Sequence, residues 1–234
     1  MTQCKNCILR LSKYKNSLKK LKALGFKKVF SDNLADAIEV TSSQVRKDFS
    51  EFNITGSKRG GYLVDDLLEK IEKILGKDVT QSVIIVGAGN LGQALMNYDG
   101  FAKEQIKIEA AFDINPNKIN TSAEIPIYPL DNLCDFVIAN KISTGIITVP
   151  SAAVQQVADL LISSGIKGIL NFAPVNIKGT ESCIINNVNF IIELENLFYR
   201  INQLKWFCYF FHIIIVVIKR YVVIASCEPE KQTN

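Results

Sequence analysis

The hydrophobic pattern changes period several times along the chain. Over residues 8–24, Ile8, Leu11, Tyr14, Leu18, Leu21 and Leu24 recur near 3.6-residue spacing, with Arg10, Lys13, Lys15, Lys19, Lys20 and Lys22 at the other positions. This predicts an amphipathic helix ended by Gly25. Residues 31–40 open with capping residues and place Leu34, Ala37 and Ile38 on one face, which predicts a short second helix. A tight turn at Val40 and Thr41 leads into residues 42–49, a third helix that Val45 and Phe49, four apart, hold to the core. Residues 54–64 break the period: Gly56, Gly60 and Gly61 bracket Lys58 and Arg59, and Tyr62 to Val64 read as extended. Helical spacing returns over residues 65–75 through Leu67, Leu68, Ile71, Ile74 and Leu75, and residues 76–78 form a linker.

Beyond the linker, short unbroken apolar runs alternate with helical patterns. Strands are expected at 83–86, 106–112, 127–128, 136–138, 145–149, 168–171 and 189–192, and helices at 92–97 and 151–164. Residues 131–139 fit either type. The alternation predicts an α/β domain with a doubly wound parallel sheet.

One stretch carries specific chemistry. The β-branched run at 83–86 suits a strand buried on both faces, and Gly87-Ala88-Gly89-Asn90-Leu91-Gly92 follows it as G-x-G-x-x-G. Gly87 permits the tight turn, Gly89 lets backbone approach a pyrophosphate, and Gly92 lets the following helix pack on the strand. The helix start offers its N–H groups and positive dipole end to phosphates. Asp113 ends the next strand, in place to accept hydrogen bonds from adenosine ribose hydroxyls, which favours NAD over NADP. Thr148 and Pro150, and Asn171, Phe172, Ala173 and Pro174, follow two later strands and are expected to line the nicotinamide side.

The charge distribution adds a second activity. Of 234 residues with net charge +4, residues 1–60 carry +8 and residues 79–190 carry −3. A basic head on a mildly acidic body confines any nucleic-acid contact to the head. Two short helices joined by a tight turn match a helix-turn-helix, whose second helix enters the major groove by its N-terminal end. Ser42, Ser43, Gln44, Arg46 and Lys47 are then the candidate DNA contacts. Lys58 and Arg59 at the tip of a β-hairpin wing, with Tyr62, complete a winged helix.

Other classes of chemistry find little support. The single histidine, His212, is remote in sequence from the glycine motif, and the body has no Tyr-x-x-x-Lys pair, so the dinucleotide is expected to be a signal rather than a reactant, and the chain no enzyme. Lys and Asn stand near the N-terminus where a signal peptide would be apolar. A cytoplasmic protein with reduced thiols and no membrane partner is expected. Cys4 and Cys7 read as unrelated thiols on a mobile N-terminus.

The set and order of these motifs resemble the Rex family of redox-sensing transcriptional repressors. The residues that carry the resemblance are the 44–49 segment, Gly61-Tyr62, the glycine motif, Phe112-Asp113, Thr148-Val149-Pro150, the 169–174 segment and Glu193-Leu194-Glu195, across about residues 8–203. The resemblance implies a homodimeric repressor of respiration and fermentation genes. It would bind palindromic operator DNA and be released by NADH, with NAD+ competing. It also implies a C-terminal helix swapped onto the partner subunit, here 194–204, with Leu194, Leu197, Phe198 and Ile201 as its apolar face, and it places Arg10 and Tyr98 at sensing positions. The expected domains are 1–78 (winged helix), 79–192 (Rossmann), 193–205 (swapped helix) and 206–234 (an atypical hydrophobic tail). The chain departs from the family pattern at Asn189, where an acid is usual, in the wing cations, displaced by one, and in the tail.

Two other readings fit parts of this pattern: an NAD-dependent dehydrogenase with an accessory helical domain, and a regulator of another nucleotide ligand. The tail admits three: a dimer-buried extension, a weak membrane anchor, or a non-native end from a shifted reading frame. Its run of thirteen residues at 206–218, apolar but for His212, is short of the roughly 20 needed to span a bilayer.

Overall fold

The structure, a computed structural model, describes residues 5–57 and 60–204. The wing-tip cations Lys58 and Arg59, Cys4, His212 and the tail at 206–234 lie outside the described residues. The described residues form two compact units that divide between Leu130 and Asp131.

The first unit opens with α1 (Lys5–Ala23), β1 (Lys28–Val29), α2 (Ser31–Ile38), α3 (Ser42–Glu51), β2 (Tyr62–Leu63) and α4 (Val64–Ile74). Leu11, Tyr14 and Leu18 of α1, Leu34 of α2, Val45 and Phe49 of α3, and Leu67 and Ile71 of α4 close one core. Two faces are phased differently from the expectation. In α1 the buried apolar positions are Cys7, Leu11, Tyr14 and Leu18, so Cys7 takes the first inward position and Leu24, past the helix end, is exposed. Cys7 is therefore a buried helical residue, not a thiol on a mobile terminus. In α2 Ala35, rather than Ala37, is buried beside Leu34.

The turn between α2 and α3 runs through Glu39 in the left-handed conformation (φ 58°), and Thr41 caps α3 by accepting the Gln44 N–H at 3.1 Å. β2 pairs antiparallel with β1, opposing Tyr62 to Val29. Ser57 and Gly61 exchange both backbone hydrogen bonds, at 3.1 and 3.0 Å, which closes the hairpin expected of a wing. Gly61 has φ +65°, and a Cβ there would lie 2.6 Å from the Val29 carbonyl oxygen, so only glycine fits this approach.

The sheet comprises β3 (Gln81–Val86), β4 (Ile106–Asp113), β5 (Ile127–Pro129), β6 (Thr144–Ile147), β7 (Gly168–Asn171) and β8 (Ile184–Asn187), in the order β5-β4-β3-β6-β7-β8. The β3/β4, β4/β5, β6/β7 and β7/β8 pairs are parallel. In the first unit α5 (Asn90–Met96) and α6 (Gly100–Lys103) connect β3 to β4. In the second, α7 (Leu133–Asn140) and α8 (Val154–Ser163) precede and follow β6, and α9 spans 190–204.

Two expected strands are helical. Residues 136–138 lie in α7, where Leu133 and Val137, four apart, are buried and Ile138 is exposed. An apolar run this short does not distinguish the two periods, and burial of one face only selects the helix. Residues 189–192 do not continue the sheet, because β8 has already formed at 184–187. Asn189 Oδ1 instead accepts the Ile191 N–H at 2.9 Å and starts α9. No helix of the described residues is long and apolar enough to cross a membrane.

Replacing Gly61 by Ala is expected to destabilise the protein by about 2 kcal/mol, since the new Cβ meets backbone and the residue must keep a positive φ. Urea unfolding followed by circular dichroism measures the change in midpoint, and an unchanged midpoint would show that the hairpin relaxes freely.

Candidate functional site

The glycine loop is built by the ends of β3 and β4. Gly87 has φ 104° and donates its N–H to the Phe112 carbonyl at 2.8 Å, carrying the chain sharply out of the strand. Ala88 N–H donates to Asp113 Oδ2 at 2.8 Å, so the carboxylate that ends β4 pins the turn that ends β3. Gly89 caps α5, and a Cβ built on it would meet nothing within 4 Å. Packing therefore leaves the Gly89 surface clear, as close approach of a pyrophosphate requires. Gly92 of α5 is buried, whereas Leu91 is exposed. The N–H groups of the first turn, at Asn90 and Leu91, have no acceptor within the helix and lie beside the clear surface.

Asp113 is nearly buried. Burial alone would raise its pKa, but the Asn115 N–H (2.8 Å), the Lys118 ammonium (3.1 Å) and the Ala88 N–H outweigh it and hold the carboxyl below its ordinary value. The group is an ionised acceptor at neutral pH, the state a ribose diol needs in a partner. These features fit an adenine dinucleotide with an unphosphorylated ribose. Tyr98, just past α5, is exposed and stacks edge-to-face on Phe101 at 5.2 Å. Among the described residues no group of three or more His, Cys, Asp or Glu side chains could hold a metal ion.

In the second unit, Thr148 and Pro150 follow β6 and lead into a short 3₁₀ turn, Ser151–Ala153. Asn171 ends β7 fully buried. Its Nδ2 donates to Val175 O at 2.7 Å and to Asn187 Oδ1 at 2.9 Å, and its Oδ1 accepts the Ala173 N–H at 3.0 Å. The Asn171 carboxamide shapes the 171–175 loop from within, and the loop presents Pro174 at the surface. Phe172 stacks on Phe190 at 5.9 Å.

The DNA-facing candidates lie on α3 and on the wing. Ser43, Arg46 and Lys47 are exposed, Ser42, Gln44 and Tyr62 are half-buried, and Arg46 Nη2 donates to Ser43 Oγ at 3.2 Å. Val45 and Phe49 are buried as expected, with Phe49 edge-to-face against Tyr14 (5.3 Å) and Tyr62 (5.1 Å).

The residue that fixes this helix is one that hydrophobic periodicity does not single out. Asp48 is 1% exposed, on the inward face of α3. It accepts from Arg10 Nε (2.6 Å) and Nη2 (2.7 Å), Tyr14 Oη (2.9 Å), Gln44 Nε2 (2.7 Å) and Cys7 Sγ (3.4 Å). Burial would push its pKa up, but the hydrogen bonds from Arg10, Gln44, Tyr14 and Cys7 prevail and lower it. Burial and the same carboxylate push the Cys7 thiol up to about 12, which makes it unreactive as a thiolate. An acid between Val45 and Phe49, at core spacing, was the available signal. Its partners, 34 to 41 residues away in α1, were not readable from periodicity.

Comparison with known proteins identifies both halves. Residues 5–50 match a family of DNA-binding protein N-termini, and residues 78–175 match the CoA binding domain family. The chain is 42% identical to the redox-sensing transcriptional repressor Rex of Bacillus subtilis (strain 168) over 191 residues, 81% of this chain and 88% of that protein. It is 37% identical to Rex of Thermoanaerobacter sp. (strain X514) over 201 residues, 86% and 90% respectively. Among solved structures it is similar to RSP, a Rex-family repressor, in complex with β-NAD+ and operator DNA (TM-score 0.83, 36% identity, 88% of this chain and 96% of that one). It is also similar to RSP in complex with β-NADH (TM-score 0.80, 36% identity, 88% and 98%).

Removing the Asp48 carboxylate strands Arg10 against the core. Asp48→Ala is expected to lose about 3 kcal/mol of stability. Because the folded pKa of Asp48 lies below its unfolded value, its contribution is present above about pH 4 and is lost as pH falls through the lowered pKa. Unfolding midpoints at pH 7 and pH 3 should therefore differ more for wild type than for Asp48→Asn. Equal differences would contradict the assignment.

Proposed function

The chain belongs to the Rex family of redox-sensing transcriptional repressors, and from this premise we propose that it represses by holding operator DNA with its winged helix and lets go when NADH enters the glycine loop. One observation carries the reading: a single chain joins an exposed, basic helix-turn-helix end to a glycine loop whose Asp113 favours an unphosphorylated ribose. RSP, of the same family, has been solved with NAD+ and operator DNA together, and with NADH.

In this reading Ser42, Ser43, Gln44, Arg46 and Lys47 meet base edges and phosphates in the major groove, and Lys58, Arg59 and Tyr62 hold the flanking backbone. The glycine loop and Asp113 hold the adenosine and pyrophosphate, as expected from Gly87, Ala88, Gly89, Asn90, Leu91 and Gly92. Thr148, Pro150 and the 171–174 loop with Phe172 and Ala173 face the nicotinamide, where the reduced and oxidised forms differ by a hydride and one positive charge. Tyr98 lies at the end of the helix that the loop begins. Asp113 disfavours a phosphorylated ribose, and so NADPH. The ligand acts as a signal rather than as a reactant, and the relatives are named as repressors. The functional division is 1–78 for DNA, 79–192 for the dinucleotide and 193–205 for assembly.

The apolar face of α9 supports a homodimer, and with it a palindromic operator. Phe190, Leu194, Leu197, Phe198 and Ile201 are all exposed on one helix, and a second copy of the chain would cover them. A two-fold dimer presents two recognition helices to half-sites roughly 34–36 Å apart. The effector shifts the equilibrium only by its differential affinity for the DNA-competent and DNA-incompetent states. Such a repressor works in the cytoplasm, beside its operator.

Two variants separate the functions. Arg46→Ala should abolish operator retention in a mobility shift while leaving NADH affinity by calorimetry within about twofold, because α3 and the glycine loop are separate. Gly89→Val should keep operator binding and lose its NADH response, since the valine occupies the surface that packing leaves clear. Release of DNA by NADH from Gly89→Val would overturn the glycine-loop assignment.

A further inference from the structure

Glu104 sits immediately after α6, at the C-terminal end of the segment that runs from the glycine loop through α5 and Tyr98. Three lysines from elsewhere in the chain converge on it. Lys15 and Lys77 bond its Oε2, Lys19 bonds its Oε1 at 3.1 Å, and the Lys77 ammonium also donates to the Glu104 carbonyl at 2.9 Å. Lys15 and Lys19 belong to α1 of the winged helix, and Lys77 to the linker. Among the described residues the one other acid on this group is Glu72, 3.4 Å from Lys19. Three cations thus face two carboxylates, and Lys15 is 5% exposed.

Such an arrangement stands on one group. Burial disfavours the Lys15 ammonium, and Lys77 beside it does so further. Among the described residues Glu104 alone touches all three cations. Hydrogen bonds from Lys15 and Lys77 hold its pKa at about 2, so it stays ionised throughout the physiological range. An isolated surface ion pair contributes little. A carboxylate that offsets three converging cations is different, because its loss leaves them repelling one another.

We propose that Glu104 is the positioning residue through which the segment behind the glycine loop holds α1 of the winged helix, so that occupancy of the loop is transmitted to the DNA-binding helices. The proposal rests on the repressor reading above. A displacement of α5 and α6 on ligand binding moves Glu104, and Glu104 moves α1 and the linker with it. α1 in turn carries Cys7, Arg10 and Tyr14, which hold Asp48 of the recognition helix. Contiguity alone does not demonstrate coupling, so the decisive quantity is the ratio of operator affinities without and with saturating NADH.

The test uses the full chain and its operator at one salt concentration. Glu104→Gln is expected to bind NADH with wild-type affinity and to lower the NADH-induced ratio by about fivefold or more. Glu104→Asp should recover part of it. Lys77→Gln should lower the ratio in the same direction, and adding it to Glu104→Gln should lower it little further, since both remove one interaction. A purely structural staple would instead lower the melting temperature and leave the ratio intact. That result in Glu104→Gln, or in Lys77→Gln should the first variant not fold, overturns the proposal. Failure of the wild-type protein to release its operator with NADH would overturn the repressor reading itself.

Discussion

Everything on the DNA side depends on burying one negative charge. A carboxylate placed in a core is tolerated only when donors surround it, and Asp48 draws its donors from two helices: Gln44 from its own, and Cys7, Arg10 and Tyr14 from α1. The requirement turns a generic helix packing into a fixed one. Hydrophobic contacts at Val45 and Phe49 are non-directional and would tolerate rotation of α3 by some degrees. The bidentate Arg10 pair would not. Arg46 and Lys47 thereby keep a defined direction on the opposite face.

The dinucleotide side is organised by the same kind of constraint in a different place. Asp113 accepts the Ala88 N–H and so ties the end of one strand to the turn after its neighbour. The backbone of residues 87–92 is pre-shaped, with Gly89 leaving the ligand's approach open. Between the two sites runs α1, which touches Asp48 through its first turns and Glu104 through Lys15 and Lys19. One helix thus carries both groups of charged contacts, the Asp48 cluster at residues 7–14 and the Glu104 cluster at residues 15–19.

How much of this was legible in the sequence depended on the range of the interaction. The glycine motif, Asp113 and the helical periods of α1, α3 and α4 are local patterns, and they predicted their elements to within a few residues. Residues 136–138 could not be told from a helix, and 189–192 were misread as a strand, because so short an apolar run carries no period of its own. A one-sided burial decided the first and an Asn189 cap the second. Cys7 was misplaced because its role depends on Asp48, 41 residues later. Glu104 had no signature at all: an acid after a short helix acquires meaning only from lysines 85 to 89 positions earlier and 27 earlier. Asn171, chosen as a ligand contact from its place after a strand, has its carboxamide engaged in shaping its own loop.

The repressor reading turns on whether the dinucleotide at residues 87–92 governs DNA binding by the winged helix. The most direct measurement is a titration of the full chain against its operator at a single fixed salt concentration, since phosphate contacts make affinity steeply salt-dependent. NADH, NAD+ and NADPH would be compared at equal concentration. NADH is expected to weaken operator binding, NAD+ to leave it intact and to oppose NADH when both are present, and NADPH to have little effect. Operator affinity unchanged by NADH, or lowered equally by NADPH, would contradict that reading.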